Sequence, residues 1–139
     1  MKNMIVRTLV TLGLSAVLSP VALLAQERMT ATIPFDFSIG AKSFAAGDYA
    51  IRRLNDYTLV IQSLKGGNGV FAPVLPAGTT KKDGSPVLLF NKYGDSYFLS
   101  KVSGEDRGWK LFPSRAEKEI VAKASSSKPA VVAASLHSK

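Results

Sequence analysis

Cysteine is absent from all 139 residues of this chain, and histidine and tryptophan occur once each. The first absence excludes disulfides, thiol catalysis, cysteine-ligated metal centres and anchoring through a lipidated cysteine. The single histidine, His137, stands two residues from the end, where nothing in the sequence promises to hold a general base or a metal ligand in register. No serine sits in a Gly-x-Ser-x-Gly elbow, and no ordered histidine is expected that would activate one. No apolar run reaches the ~20 residues of a comfortable membrane-spanning helix. Negative charge is scarce too: ten Asp and Glu face eighteen Lys and Arg, a formal net charge of +8.

What is present begins with an export pattern. Lys2 and Arg7 precede an apolar stretch from Leu9 to Leu18, a Ser19-Pro20 break, and a second apolar piece ending at Ala25. Basic start, hydrophobic middle, helix breaker and small residue form the order that a signal peptidase recognises. Residues 1–25 are therefore expected to be a secretory signal cut after Ala25, although Leu23 is bulkier than the preferred small residue. The competing readings are an uncleaved anchor and a buried helix. Export places the mature protein in the periplasm or the extracellular space. The leader holds two of the eight net positive charges, and the remaining +6 favours acidic partners: acidic polysaccharide, an anionic lipid surface or another envelope protein. These charges are dispersed rather than clustered, and with export that argues against nucleic acid.

Residues 26–124 read as one β-rich domain. Ala31, Ile33, Phe35 and Phe37 alternate along one expected strand, with Pro34 marking an edge or a bulge. After a loop through Gly40, Tyr49–Leu54 and Tyr57–Leu64 flank the turn pair Asn55-Asp56 as a hairpin. A glycine-rich reversal at residues 66–69 leads to Val70–Leu75, where Pro73 again points to an irregular or edge position. Val87–Phe90 and Ser96–Val102 flank an expected loop at Asn91–Asp95 and form the clearest hairpin. Trp109–Phe112 is the expected last strand. Ser114 and Glu117 match a capping box opening a helix from about Arg115 to Ala124, with Ala116, Ile120, Val121 and Ala124 expected to cover the sheet. Glu119 and Lys123 stand one turn apart in the favourable order. Residues 125–139 are rich in serine, alanine and lysine and read as a flexible basic tail, in which Val131-Val132 would add a strand on binding or in a dimer. The fold class is all-β: a small antiparallel barrel or sandwich with one short C-terminal helix.

The candidates for chemistry are thin. Asp36, Asp48, Asp56, Asp83, Asp95, Glu105 and Asp106 offer carboxylates for sugar hydrolysis, yet most stand in expected turns, where aspartate serves by accepting backbone hydrogen bonds. The glycines at 66–69 lack the lysine and the following helix of a phosphate loop. No metal or cofactor is expected. Tyr93, Tyr97 and Trp109, with Lys92 and Lys110 nearby, are a candidate platform for a glycan or peptide; the alternative is that these rings build the core, the role also expected of Tyr57 and Phe71. Phe35, Phe37, Leu59 and Leu99 would line a cavity if the barrel enclosed an apolar ligand.

Ile33-Pro34-Phe35-Asp36-Phe37, the turn and strand Ala46–Ile51, the hairpin Tyr93–Leu99 and the run Ser114–Glu119 together resemble a group of small exported proteins common in acidobacterial genomes. The resemblance covers roughly Thr30 to Lys123. It implies a secreted or periplasmic β-rich domain with a terminal helix, and carries over no activity, cofactor or binding residue. The reading that emerges is a non-enzymatic binding or structural component of the envelope or extracellular space. A hydrolase acting on carbohydrate through loop carboxylates and a small carrier of apolar ligands are its alternatives.

Overall fold

The computed structural model describes residues 28–67, 69–80, 83–123 and 129–138. The expected leader, Asn68, Lys81-Lys82 and Ala124 lie outside the described residues. In chain order the elements are β1 (Arg28–Ile33), β2 (Phe37–Ile39), β3 (Lys42–Phe44), β4 (Gly47–Asn55), β5 (Thr58–Ser63), β6 (Val70–Ala77), β7 (Val87–Tyr93), β8 (Ser96–Ser103), β9 (Gly108–Leu111), α1 (Arg115–Lys123) and β10 (Ala130–Ser138).

Alternation drives the architecture. Met29, Ala31 and Ile33 of β1, Leu59 and Ile61 of β5, Ala72 and Val74 of β6, and Trp109 and Leu111 of β9 all turn to one side and are buried. A sheet that hides alternate side chains must curl over them or stack. Here it curls: β8, β7, β10, β1, β4, β5, β6 and β9 are hydrogen-bonded in that order, and β9 pairs back onto β8. Every pairing in the ring is antiparallel. The result is a closed eight-stranded barrel, which decides between barrel and sandwich. At this strand number the interior is just wide enough to be filled by side chains. One core cluster fills it, with Phe90, Leu59 and Val102 completely inaccessible. Phe37, Leu59 and Leu99, the expected lining of a ligand cavity, are packed members of that core, and Phe35 packs against it.

Closure turns on β6. Its first half, Val70–Pro73, pairs with β5, and its second half, Val74–Ala77, pairs with β9. Pro73 sits at the change of partner, the irregular position that its missing amide hydrogen demands. At the far end Gly108 allows the Gly78 carbonyl to approach so closely that any side chain there would collide with it. The segment expected as one strand from Ala31 to Phe37 divides after Ile33. Its second part forms a hairpin of β2 with β3, in place of the expected loop, and joins β8 through one parallel bridge, Ser38 to Phe98. The β7–β8 loop is shorter than expected: Asn91, Lys92 and Tyr93 continue the strand, leaving Gly94-Asp95, with Gly94 at φ 59°.

Two further expectations are corrected. The tail expected over residues 125–139 contains β10, which lies between β1 and β7 and completes the wall. Ala134 and Leu136 are buried; ladder bonds on both sides order a segment that has too little apolar bulk to order itself. The helix spans Arg115–Lys123, and Ser114 caps it by accepting from the Glu117 amide at 3.1 Å. The Glu117 carboxylate does not reach back to Ser114. It accepts instead from Asn91 Nδ2 at 3.0 Å and the Tyr93 hydroxyl at 3.2 Å, both on the outer wall of β7. Glu117 is the buried residue of α1, whereas Ala116 and Val121 are exposed and Ile120 is half-buried. The helix is thus held by a polar latch rather than by an apolar face. Glu119 pairs with Arg115 at 3.1 Å instead of with Lys123.

Candidate functional site

The five residues of the candidate platform do not meet. Trp109 is 2 % exposed and faces into the barrel, while its neighbour Lys110 faces outward on β9. Tyr93 is on the outer wall of β7, bonded to Glu117 and edge-on to Phe98. Burial and the nearby Glu117 carboxylate raise its hydroxyl above the ordinary tyrosine value. Lys92 and Tyr97 do come together, with the ammonium 5.3 Å from the ring centroid. The Tyr97 ring is also stacked on Phe35 at 3.9 Å, so this group closes a barrel end and presents little bare ring. It adjoins the aromatic plug formed by Phe35, Phe37, Phe44, Tyr49 and Phe90.

Several carboxylates are occupied in turns or across the β1–β4 ladder. Asp36 accepts from the Ala46 amide, Asp83 from the Ser85 amide and Asp48 from the Thr32 hydroxyl. Asp56 and Asp106 share a polar cleft of about 320 Å³ with Tyr57 and Arg107. Sugar hydrolysis requires a shielded general acid. Asp56, with its side chain 67 % exposed and ion-paired to Arg53 at 2.9 Å, is not shielded. His137 lies on β10 opposite Thr30, ordered contrary to expectation, yet no group of three or more metal-ligating side chains occurs among the described residues.

The feature that stands out is on the wall. Phe71 and Tyr57, expected in the core, are 68 % and 63 % exposed. Because Ala72 and Val74 face inward, Phe71, Pro73 and Leu75 face outward along β6. Phe112, just beyond β9, follows the buried Leu111, which pairs with Val74; it therefore comes up beside Pro73 on the same outer face. Phe71, Leu75 and Phe112 form one apolar face, and the largely buried Val60 is the cross-strand partner of Phe71. Contiguous bare apolar surface of this kind marks interaction sites on soluble domains.

An apolar groove of about 260 Å³ runs from this face to the β2–β3 turn, between Ile39–Lys42 on one side and Val70–Pro73 with Phe112 on the other. Lys42 is the sole charged residue in its lining. On the opposite flank Leu75 pairs with Lys110, and Lys110 pairs with Lys101 of β8, so two lysines are direct cross-strand partners. Sequence reasoning missed this site because Val70–Leu75 is apolar at every position and periodicity cannot assign its faces. The available signal was that an antiparallel strand apolar on both faces needs a cover on each.

No protein-family model, curated protein or solved structure matches the chain. Fold and site together define a small closed antiparallel β-barrel with a bare apolar face bordered by lysines. No helix among the described residues is long and apolar enough to cross a membrane.

Proposed function

We propose that this protein is an exported, non-enzymatic binding component of the cell envelope or extracellular space, and that it engages an acidic partner through the outer face of β6 and β9. The observation that carries the reading is the contiguity of Phe71, Leu75 and Phe112, each about half or more exposed, beside Lys42, Lys101 and Lys110. Burying such side chains contributes about 25 cal/mol per Å² of apolar area, and the lysines select the sign of the partner. A hydrated polysaccharide offers little apolar surface to bury, which favours a lipid or protein partner over a glycan. The signal-like leader and the resemblance to exported acidobacterial proteins supply the location in this reading.

The test is cosedimentation of the exported protein with a total envelope fraction. The Phe71→Ser, Phe112→Ser double variant is expected to bind at least tenfold more weakly while melting within a few degrees of the parent, since both side chains are exposed. Undiminished cosedimentation of that variant would overturn the docking face.

A further inference from the structure

We infer that the partner of this face is an anionic lipid bilayer, on which the barrel lies with Phe71, Leu75 and Phe112 in the headgroup boundary; this rests on the docking-face reading above. Three observations select a bilayer over a protein strand. The apolar side chains project from a barrel wall on adjacent strands, so they meet a plane together; interfacial anchors bury a few such side chains to shallow depth and surround them with lysines. The first half of β6 has a ladder partner only on the β5 side, which would invite strand addition on the other, but Pro73 deprives that short edge of an amide donor at the end where β9 takes over. A partner that demands no backbone pairing is indifferent to this loss.

Charge supplies the third observation. Lys101 and Lys110 are directly opposed across β8 and β9, and neither forms an ion pair among the described residues. Like charges in that register destabilise a sheet in water. A negatively charged surface reverses the sign of their contribution. Lys42 stands at the end of the groove, whose lining contains no carboxylate. Asp56 and Asp106 gather at the other end of β6, beside Pro76 and Ala77. Each lysine near an anionic leaflet strengthens binding roughly fivefold, and the gain decays over a Debye length of roughly 8–10 Å at physiological salt.

The experiment is flotation of the exported protein with vesicles of phosphatidylcholine alone and of phosphatidylcholine with roughly a quarter phosphatidylglycerol. Comparing parent and variants in the same processed form keeps any leader common to all. The parent is expected to float with the anionic vesicles, at least tenfold better than with the zwitterionic ones, and to be released by high salt. Phe71→Ser with Phe112→Ser should abolish flotation, and Lys101→Gln with Lys110→Gln should weaken it more than tenfold. A Phe71→Trp variant should shift its emission to the blue on anionic vesicles alone, against the constant signal of the buried Trp109. Equal flotation of the serine double variant, or no flotation of folded parent, would overturn the bilayer assignment. If the parent fails to float yet still cosediments with envelope fractions through Phe71 and Phe112, the partner is a protein: the bilayer is excluded and the docking face stands. Loss of the Phe71 and Phe112 dependence in both assays would exclude both.

Discussion

Replacing Glu117 with alanine should release α1 from the barrel while leaving the barrel closed. The carboxylate accepts two hydrogen bonds, from Asn91 at 3.0 Å and Tyr93 at 3.2 Å, and both reach the same oxygen. A hydrogen bond to a charged group contributes ~1.5–3 kcal/mol, but Asn91 and Tyr93 are half-buried and regain water when the carboxylate is gone, so the expected loss is about 2–3 kcal/mol. Little else opposes undocking. Ala116 and Val121 are exposed, and an isolated helix of nine residues is unstable in water. Amide hydrogen exchange across Arg115–Lys123 should therefore rise to the rate of open chain, with β7 and β8 still protected. Glu117→Gln, which keeps an acceptor without the charge, should lose roughly half as much. Full protection of the α1 amides in Glu117→Ala would refute the latch and require that the apolar side chains of the helix hold it after all.

Two further outcomes follow from the same structure. Tyr93 and Tyr49 both have hydroxyls raised above the ordinary value of 10.0, each chiefly by burial, with Glu117 and Asp36 respectively adding to the effect. A raised folded value means that the unfolded chain gives up the proton first as pH climbs; the stabilisation is intact below about pH 10 and falls as pH rises through the folded values. Urea midpoints should accordingly decline as pH rises above 10, and Glu117→Ala, which removes the carboxylate and returns the Tyr93 hydroxyl to water, should bring the Tyr93 ultraviolet titration back toward the ordinary value. A chain stopped at Pro129 should lose on the order of 4–5 kcal/mol or fail to fold, because it lacks Ala134 and Leu136 and leaves β1 and β7 each with one unpaired edge. A removable tail would leave the thermal midpoint unchanged.

Strand identity was legible wherever one face is apolar and the other is not. Tyr49–Leu54, Tyr57–Leu64 and Trp109–Phe112 all fall on observed strands within a residue or two, and Ser114 announced its helix through a cap that depends on local geometry alone. Recognition failed where a residue's role is set by a partner distant in sequence. Glu117 fits a local capping box, yet its carboxylate goes to Asn91 and Tyr93, whose donors β7 brings alongside it. Residues 130–138 look like tail because alanine and serine carry little burial energy; they become strand because β1 and β7 leave a gap of matching width. Phe71 passed for core because aromatic residues in small β-domains usually are core.

By itself, then, the amino-acid order determined that this chain makes short antiparallel strands and a capped helix, since those properties depend on neighbours a few residues apart, and its lack of cysteine excluded thiol chemistry. Tertiary structure alone decided that the sheet closes, that β10 completes the ring, that Trp109 faces in and Phe71 faces out. The physical reason is that inside and outside are properties of the closed wall: a strand apolar on both faces acquires a buried and a bare side only when its neighbours fix the direction of curvature.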